Sequence, residues 1–172
     1  MSHQKEPVFC GASAAVLTIS DTRTSETDTS GNYLTQTLTG AGHRVISHAI
    51  VKDELAQIRA AVLALLEAKS CQFIILTGGT GLTERDVTPE AVRPLYTKAI
   101  PGFGELFRML SFQDIGTSTV QSRADAGLCG HAVVFCLPGS TGACRLAMEK
   151  IILPQLDNTH GPCNFRGILP VP

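Results

Sequence analysis

Cys71–Thr77 reads CQFIILT and runs directly into Gly78-Gly79-Thr80-Gly81, a junction that few chain architectures accommodate. A short apolar run of this kind is a strand buried on both faces. Three glycines in five positions then open backbone conformations closed to other residues and allow close approach to a ligand. The surrounding sequence repeats the theme. Ala14–Ser20 (AAVLTIS), Arg44–Val51 and His131–Leu137 read as further strands. Helix patterns lie between them. Leu34, Leu38 and Ala41 share a face after candidate caps at Asp28-Thr29-Ser30, and Leu55, Ile58, Val62, Leu65 and Leu66 follow an N-cap at Asp53. Thr88-Pro89-Glu90 opens another helix, and Phe103, Leu106, Phe107 and Leu110 mark the next. The last starts near Thr141, carries Cys144, Ala147, Met148, Ile151 and Ile152 inward, and is expected to end at Pro154.

Strands separated by helices of this length predict a mostly parallel central sheet with helices on both faces, a three-layer α/β/α sandwich. At 172 residues, with no internal repeat or linker, the chain is expected to form a single domain with its core over about 14–157 and a tail on either side. A hydrophobic content of 44% with 17% charged residues suits a packed core. Lysine and arginine total 14 against 15 acidic residues, a balance that disfavours nucleic acid or anionic lipid held by bulk attraction. No apolar run reaches the ~20 residues that span a bilayer. The N-terminus lacks the basic start and cleavage site of a secretory signal, so a cytoplasmic location is expected. The six cysteines form no CxxC and are expected as buried thiols; the histidines show no metal-binding spacing.

In such sheets a ligand sits beyond the carboxyl ends of the strands. Three loops there are unusual. In Thr77-Gly78-Gly79-Thr80-Gly81, backbone N–H groups can form a nest for anionic oxygens, with the Thr77 and Thr80 hydroxyls as further donors; a tight turn without a ligand is the alternative. Pro138-Gly139-Ser140-Thr141-Gly142 opens the last helix, whose N-terminus suits an anion, unless Ser140 or Thr141 simply caps it. Ser20-Asp21-Thr22-Arg23, leading to Asp28-Thr29-Ser30-Gly31, either holds a substrate or solvates a loop. Asp86 follows the glycine turn by five positions, and Asp53 ends the second strand on the same edge. Two aspartates beside a phosphate nest fit a magnesium-assisted phosphoryl or nucleotidyl transferase. The structural alternatives are an N-cap role for Asp53 and a pairing of Asp86 with Arg85 or Arg93. Neither GxxxxGK[ST] nor GxGxxG occurs in its usual context, which disfavours a P-loop NTPase or a Rossmann dehydrogenase.

The ordered set TISD, DTSG, TGGTGLTERDVTPEA, GFGELFRMLSF, TSTVQSR and LPGST resembles the MoaB/MogA family of molybdopterin adenylyltransferases, and SFQDIGTSTVQSR with PCNF resembles its MoaB branch. The resemblance runs from about Val16 to Phe165. It implies a homo-oligomer, trimeric or hexameric, and a reaction in which the terminal phosphate of molybdopterin attacks the α-phosphate of Mg-ATP. The adenylylated product would pass to a separate molybdenum insertase. Carried over by position, the resemblance makes Asp53 and Asp86 the catalytic and magnesium-holding acids. Thr77, Gly78, Gly79, Thr80, Gly81, Gly139 and Ser140 would bind nucleotide phosphates, and Asp21, Ser30, Gly31, Ser122 and Arg123 would line the pterin side. A protein of the same fold that binds molybdopterin without catalysis is the main alternative, and a different phosphoryl-transfer enzyme is a third.

Overall fold

A computed structural model of the chain describes residues 8–69 and 71–169. The first seven residues, on which the reading of the N-terminus partly rests, lie outside the described residues. Each apolar run becomes a strand because its side chains find cover on both faces. β1 (Ser13–Ile19) and β3 (Phe73–Thr77) are buried along their whole length, as is β6 (Ala132–Leu137). β2 (Arg44–Val51) sits at the sheet edge and is only half-buried. The strand order is β2-β1-β3-β6-β5-β4, with β2, β1, β3 and β6 mutually parallel.

The layers follow from alternation along the strands. Val16, Phe73, Ile75, Val133 and Phe135 face helices α1 (Thr29–Gly40), α4 (Pro101–Ile115) and the C-terminal helix. Leu17, Ile74, Leu76, Val134 and Cys136 face α2 (Leu55–Glu67) and the short α3 (Thr88–Val92). The sandwich expected from the sequence is therefore present. Among the described residues, no helix is long and apolar enough to cross a membrane.

Four local expectations change. Two strands went unread, β4 (Lys98–Ala99) and β5 (Asp125–Cys129), which pair antiparallel at one edge. Gly127 lies within β5 because a methyl there would fall 2.3 Å from the Tyr96 ring, so the position needs glycine for close packing rather than for a turn. Asp53 is not the cap of α2; Glu54 occupies that position, with no side-chain bond. Nor does Pro154 end the last helix. α5 (Thr141–Ala147) widens into a π-helical turn over Met148–Ile152 and continues as α6 (Leu153–Leu156), and the wide turn accommodates a residue that can neither donate to the ladder nor tolerate the carbonyl below it. Finally, Cys71, Cys129, Cys136 and Cys144 are buried thiols, whereas Cys10 and Cys163 are exposed.

Phe135 joins three elements: its ring meets Phe103 edge-on at 5.1 Å and Phe165 at 5.9 Å, with no exposure to solvent. Phe135→Ala should destabilise the protein by about 3–5 kcal/mol, read from the urea midpoint at constant slope.

Candidate functional site

The glycine turn sits where the parallel strands end. Gly78 and Gly79 take φ of +109° and +64°, a region that L side chains rarely enter. The turn is held from several sides. Gly78 N–H donates to Leu137 O (3.0 Å), Thr88 Oγ1 donates to Gly78 O (2.8 Å), and Thr88 N–H donates to Gly79 O (3.0 Å). Behind it, Thr77 Oγ1 donates to Pro138 O (3.0 Å), tying the turn to the loop that opens α5. Gly139 adjoins Gly78, and a methyl on it would make an ordinary contact 3.4 Å from the Gly78 Cα. Ser140 caps α5, accepting from Ala143 N–H at 3.2 Å.

The two acids flank this turn. A methyl on Gly79 would lie 2.6 Å from Asp53 Oδ1, and one on Gly81 would lie 2.7 Å from Asp86 Oδ2. Their environments differ. Asp86 accepts from Thr83 N–H (2.9 Å) and Thr83 Oγ1 (2.6 Å), and pairs with neither Arg85 nor Arg93. Burial pushes its carboxyl up, but the bonds from Thr83 and Gly81 and the nearby Arg123 outweigh that and hold it below the ordinary value. Asp53 Oδ1 is buried and has no hydrogen-bond partner. Burial first, then the charges of Asp21 and Asp86, raise the Asp53 carboxyl above its ordinary value.

An orphaned carboxylate oxygen beside a like charge is a place for a cation. Among the described residues, no group of three or more histidine, cysteine, aspartate or glutamate side chains is placed to hold a metal ion. An ion at Asp53 and Asp86 would therefore draw its remaining ligands from phosphate and water, as magnesium does.

A cavity of about 590 Å³ opens beside the turn. Gly78, Gly79, Thr80, Gly81, Asp86, Ser122, Gly139 and Ser140 line it. The other named residues stand outside it. Asp21 is on the surface beside Asp53, paired with Arg85, and accepts from Asp53 N–H at 3.3 Å. Ser30 is buried and donates to Gly139 O at 2.8 Å. Gly31 is required by packing, since a methyl would lie 2.2 Å from Asp28 Oδ2 and 2.4 Å from His48 Nε2. Arg123 lies behind the turn, donating to Gly81 O at 2.8 Å, to Asp86 O and to Glu90.

Two further groups complete the surroundings, the first an expected helix cap. Asp28, buried to 1% exposure, accepts from Thr18 Oγ1 (2.6 Å) and Gly31 N–H (2.9 Å) and pairs with His48 Nε2 (2.9 Å), fixing the start of α1. The second group is the far cavity wall, formed by the end of α4 and a 3-10 turn over Gly116–Gln121. Of this wall sequence reasoning named only Ser122, although the motif SFQDIGTSTVQSR and the cluster of small polar residues in GTSTVQS after an amphipathic helix both marked the stretch.

Residues 15–158 match a family model described as a "probable molybdopterin binding domain". The molybdenum cofactor biosynthesis protein B of Escherichia coli K12 is 52% identical over 157 residues, covering 91% of this chain and 92% of that protein. The chain belongs to this family. A crystal structure of a molybdenum cofactor biosynthesis protein B superposes with a TM-score of 0.83 at 53% identity, covering 86% of this chain and 92% of the other. A MogA structure gives 0.74 at 26% identity, covering 84% and 99%. Within the molybdopterin-binding family the matched span contains the glycine turn, both acids and the loop at Gly139.

The raised carboxyl of Asp53 carries a stability prediction. The folded protein holds this proton more tightly than the unfolded chain, whose carboxyl titrates near ~3.9, so the associated stability is complete below that pH and is lost as pH rises through the folded value. In the presence of EDTA, Asp53→Asn should therefore melt at a higher temperature than the parent at neutral pH. The gap should close as the pH falls, measured by circular dichroism.

Proposed function

We propose that the chain is a nucleotidyltransferase that moves AMP from Mg-ATP to the terminal phosphate of molybdopterin, releasing pyrophosphate. The observation that supports it best is the placing of Asp53 and Asp86 on either side of one glycine turn, with a buried Asp53 oxygen that has no partner. The bond formed joins a molybdopterin phosphate oxygen to the α-phosphorus of ATP. The bond broken is that between α-phosphorus and the bridging oxygen, which leaves with the pyrophosphate.

Each residue's part follows from its surroundings. The backbone N–H groups of Gly79 and Thr80, in a turn fixed by Thr77, Thr88 and Arg123, would bind phosphate oxygens without having to reorganise, while those of Gly78 and Gly81 hold the turn to Leu137 O and to Asp86. Asp53 and Asp86 would hold the divalent ion, which when bound neutralises charge gathering on the leaving pyrophosphate. Asp86 is fixed by Thr83 and needs no rearrangement to serve. Asp53 has an oxygen to offer and gains relief from Asp21 and Asp86 when a cation arrives. Ser140 and Gly139 extend the phosphate-facing surface toward the N-terminus of α5.

The same reading places the protein in the cytoplasm as a trimer or hexamer, passing its product to a molybdenum insertase. Self-association draws support from α4, where Met109, Phe112 and Ile115 are each more than half exposed.

Purified protein with molybdopterin, ATP and magnesium should yield adenylylated molybdopterin and pyrophosphate, followed by chromatography and a phosphate-release assay. Asp86→Asn and Asp53→Asn should each lower the rate at least about 100-fold, the scale of losing one preorganised charge-stabilising group, with the far-ultraviolet spectrum unchanged. Parent protein that binds molybdopterin but yields no adenylylated product would establish the non-catalytic alternative.

A further inference from the structure

One buried charge lies far from the glycine turn and has nothing to balance it. Arg166, in the 3-10 turn Phe165–Ile168, is 4% exposed, yet it forms no ion pair among the described residues. Its Nε and Nη1 are buried without a hydrogen-bond partner. A guanidinium kept from water in this way is costly, because nothing replaces the solvation it has lost. The third nitrogen, Nη2, donates to the Cys10 sulfur at 3.7 Å. The charge is felt nearby: burial above all holds the His43 imidazole below its ordinary value, Asp157 draws it up, and Arg166 adds to the lowering.

Cys10 is placed unlike the other thiols. Cys71, Cys129, Cys136 and Cys144 are buried, and burial pushes each of them up, which makes them inert. Cys10 and Cys163 are both exposed, but of the two only Cys10 accepts a bond from a cation among the described residues. Its backbone is clamped. Cys10 N–H donates to Asn158 Oδ1 at 2.7 Å, and Asn158 Nδ2 donates to Val8 O at 2.8 Å, which holds the sulfur against the guanidinium. The other contact of the thiol, to Gly11 O, is long at 3.9 Å.

We propose that Cys10 is a site of modification by peroxide, and that the sulfur oxyanion formed there is the counter-ion of Arg166. The sulfur attacks one peroxide oxygen, so that an S–O bond forms and the O–O bond breaks. The departing hydroxide takes up the thiol proton and leaves as water; sulfur loses two electrons and the peroxide gains them. A second peroxide adds another oxygen to the sulfenic acid in the same way, giving a sulfinate, a proton and water. At each step the guanidinium favours the negative charge that gathers on the sulfur and its oxygens. The site is remote from the proposed transfer chemistry. Cys10 precedes β1, and the seven residues of that strand, at about 3.3 Å each, separate it from the loops where the parallel strands end.

The test treats the full-length protein with hydrogen peroxide, traps sulfenic acid with dimedone and quantifies each cysteine by peptide mass spectrometry. Cys10 should be labelled at least about tenfold faster than Cys163, the scale of one charge-assisted contact. Arg166→Met, which replaces the cation by an apolar side chain, should bring Cys10 down to the rate of Cys163 and leave Cys163 unchanged. Cys10→Asp puts a permanent anion beside the guanidinium without altering a buried side chain. It should melt above both the parent and Cys10→Asn, while Cys163→Asp should not melt above Cys163→Asn. This comparison decides the matter even where Arg166→Met does not fold. Equal labelling of the two exposed cysteines, undiminished labelling of Cys10 in folded Arg166→Met, or Cys10→Asp melting no higher than Cys10→Asn would each overturn the proposal.

Discussion

The turn at Gly78–Gly81 has to keep two consecutive residues at positive φ with nothing in its own sequence to hold it there, and much of the surrounding architecture answers that requirement. Thr88 reaches back from α3 to bond Gly78, Thr77 bonds forward to Pro138, and the guanidinium of Arg123 spans Gly81, Asp86 and Glu90. These anchors come from three separate stretches of chain. Their combined effect is that the backbone of the turn lining the cavity is fixed before any ligand is present, which is the condition under which backbone donors bind anions well. The neighbouring loop is stabilised in the same manner, through Ser30 from α1 to Gly139 and through the buried Asp28 that anchors Gly31.

Charge is arranged with less comfort. Asp86 is satisfied by Thr83, and Asp21 is satisfied by Arg85 at the surface, a pairing that screens readily and contributes little to stability. Asp53 between them has an oxygen with no partner. An asparagine of the same shape would relieve the repulsion. A strained carboxylate at the end of a parallel sheet is the pattern in which local stability is given up for function.

Much of this was readable in the chain itself, and the failures have physical causes. β2 matched its expected limits because Arg44 and Lys52 frame a run rich in valine and isoleucine, and the glycine turn announced itself by composition. Pro154 misled because a proline normally terminates a helix, whereas here the π-turn just before it absorbs the missing donor. β5 escaped notice because Asp125-Ala126-Gly127 has little strand character, and its glycine answers to Tyr96, a partner distant in sequence. Asp53 looked like a helix cap because caps are local and recognisable, while an unpaired carboxylate is defined by what fails to surround it. Arg123 and Ser30, polar residues in family motifs, turned out to support the loops from behind rather than face the cavity. Sequence patterns identify polar residues near a site but carry no information about the side from which they approach.

The crowding of Asp21, Asp53 and Asp86 also bears on how a nucleotide would arrive. A bare triphosphate would bring more negative charge to a place where one carboxyl already resists ionising, and its approach would be uphill. A chelated triphosphate brings part of its counter-charge along and meets a smaller barrier. Under the proposed reading the crowded acids therefore favour the chelated nucleotide over the free one, a preference by ionic form that needs no moving part.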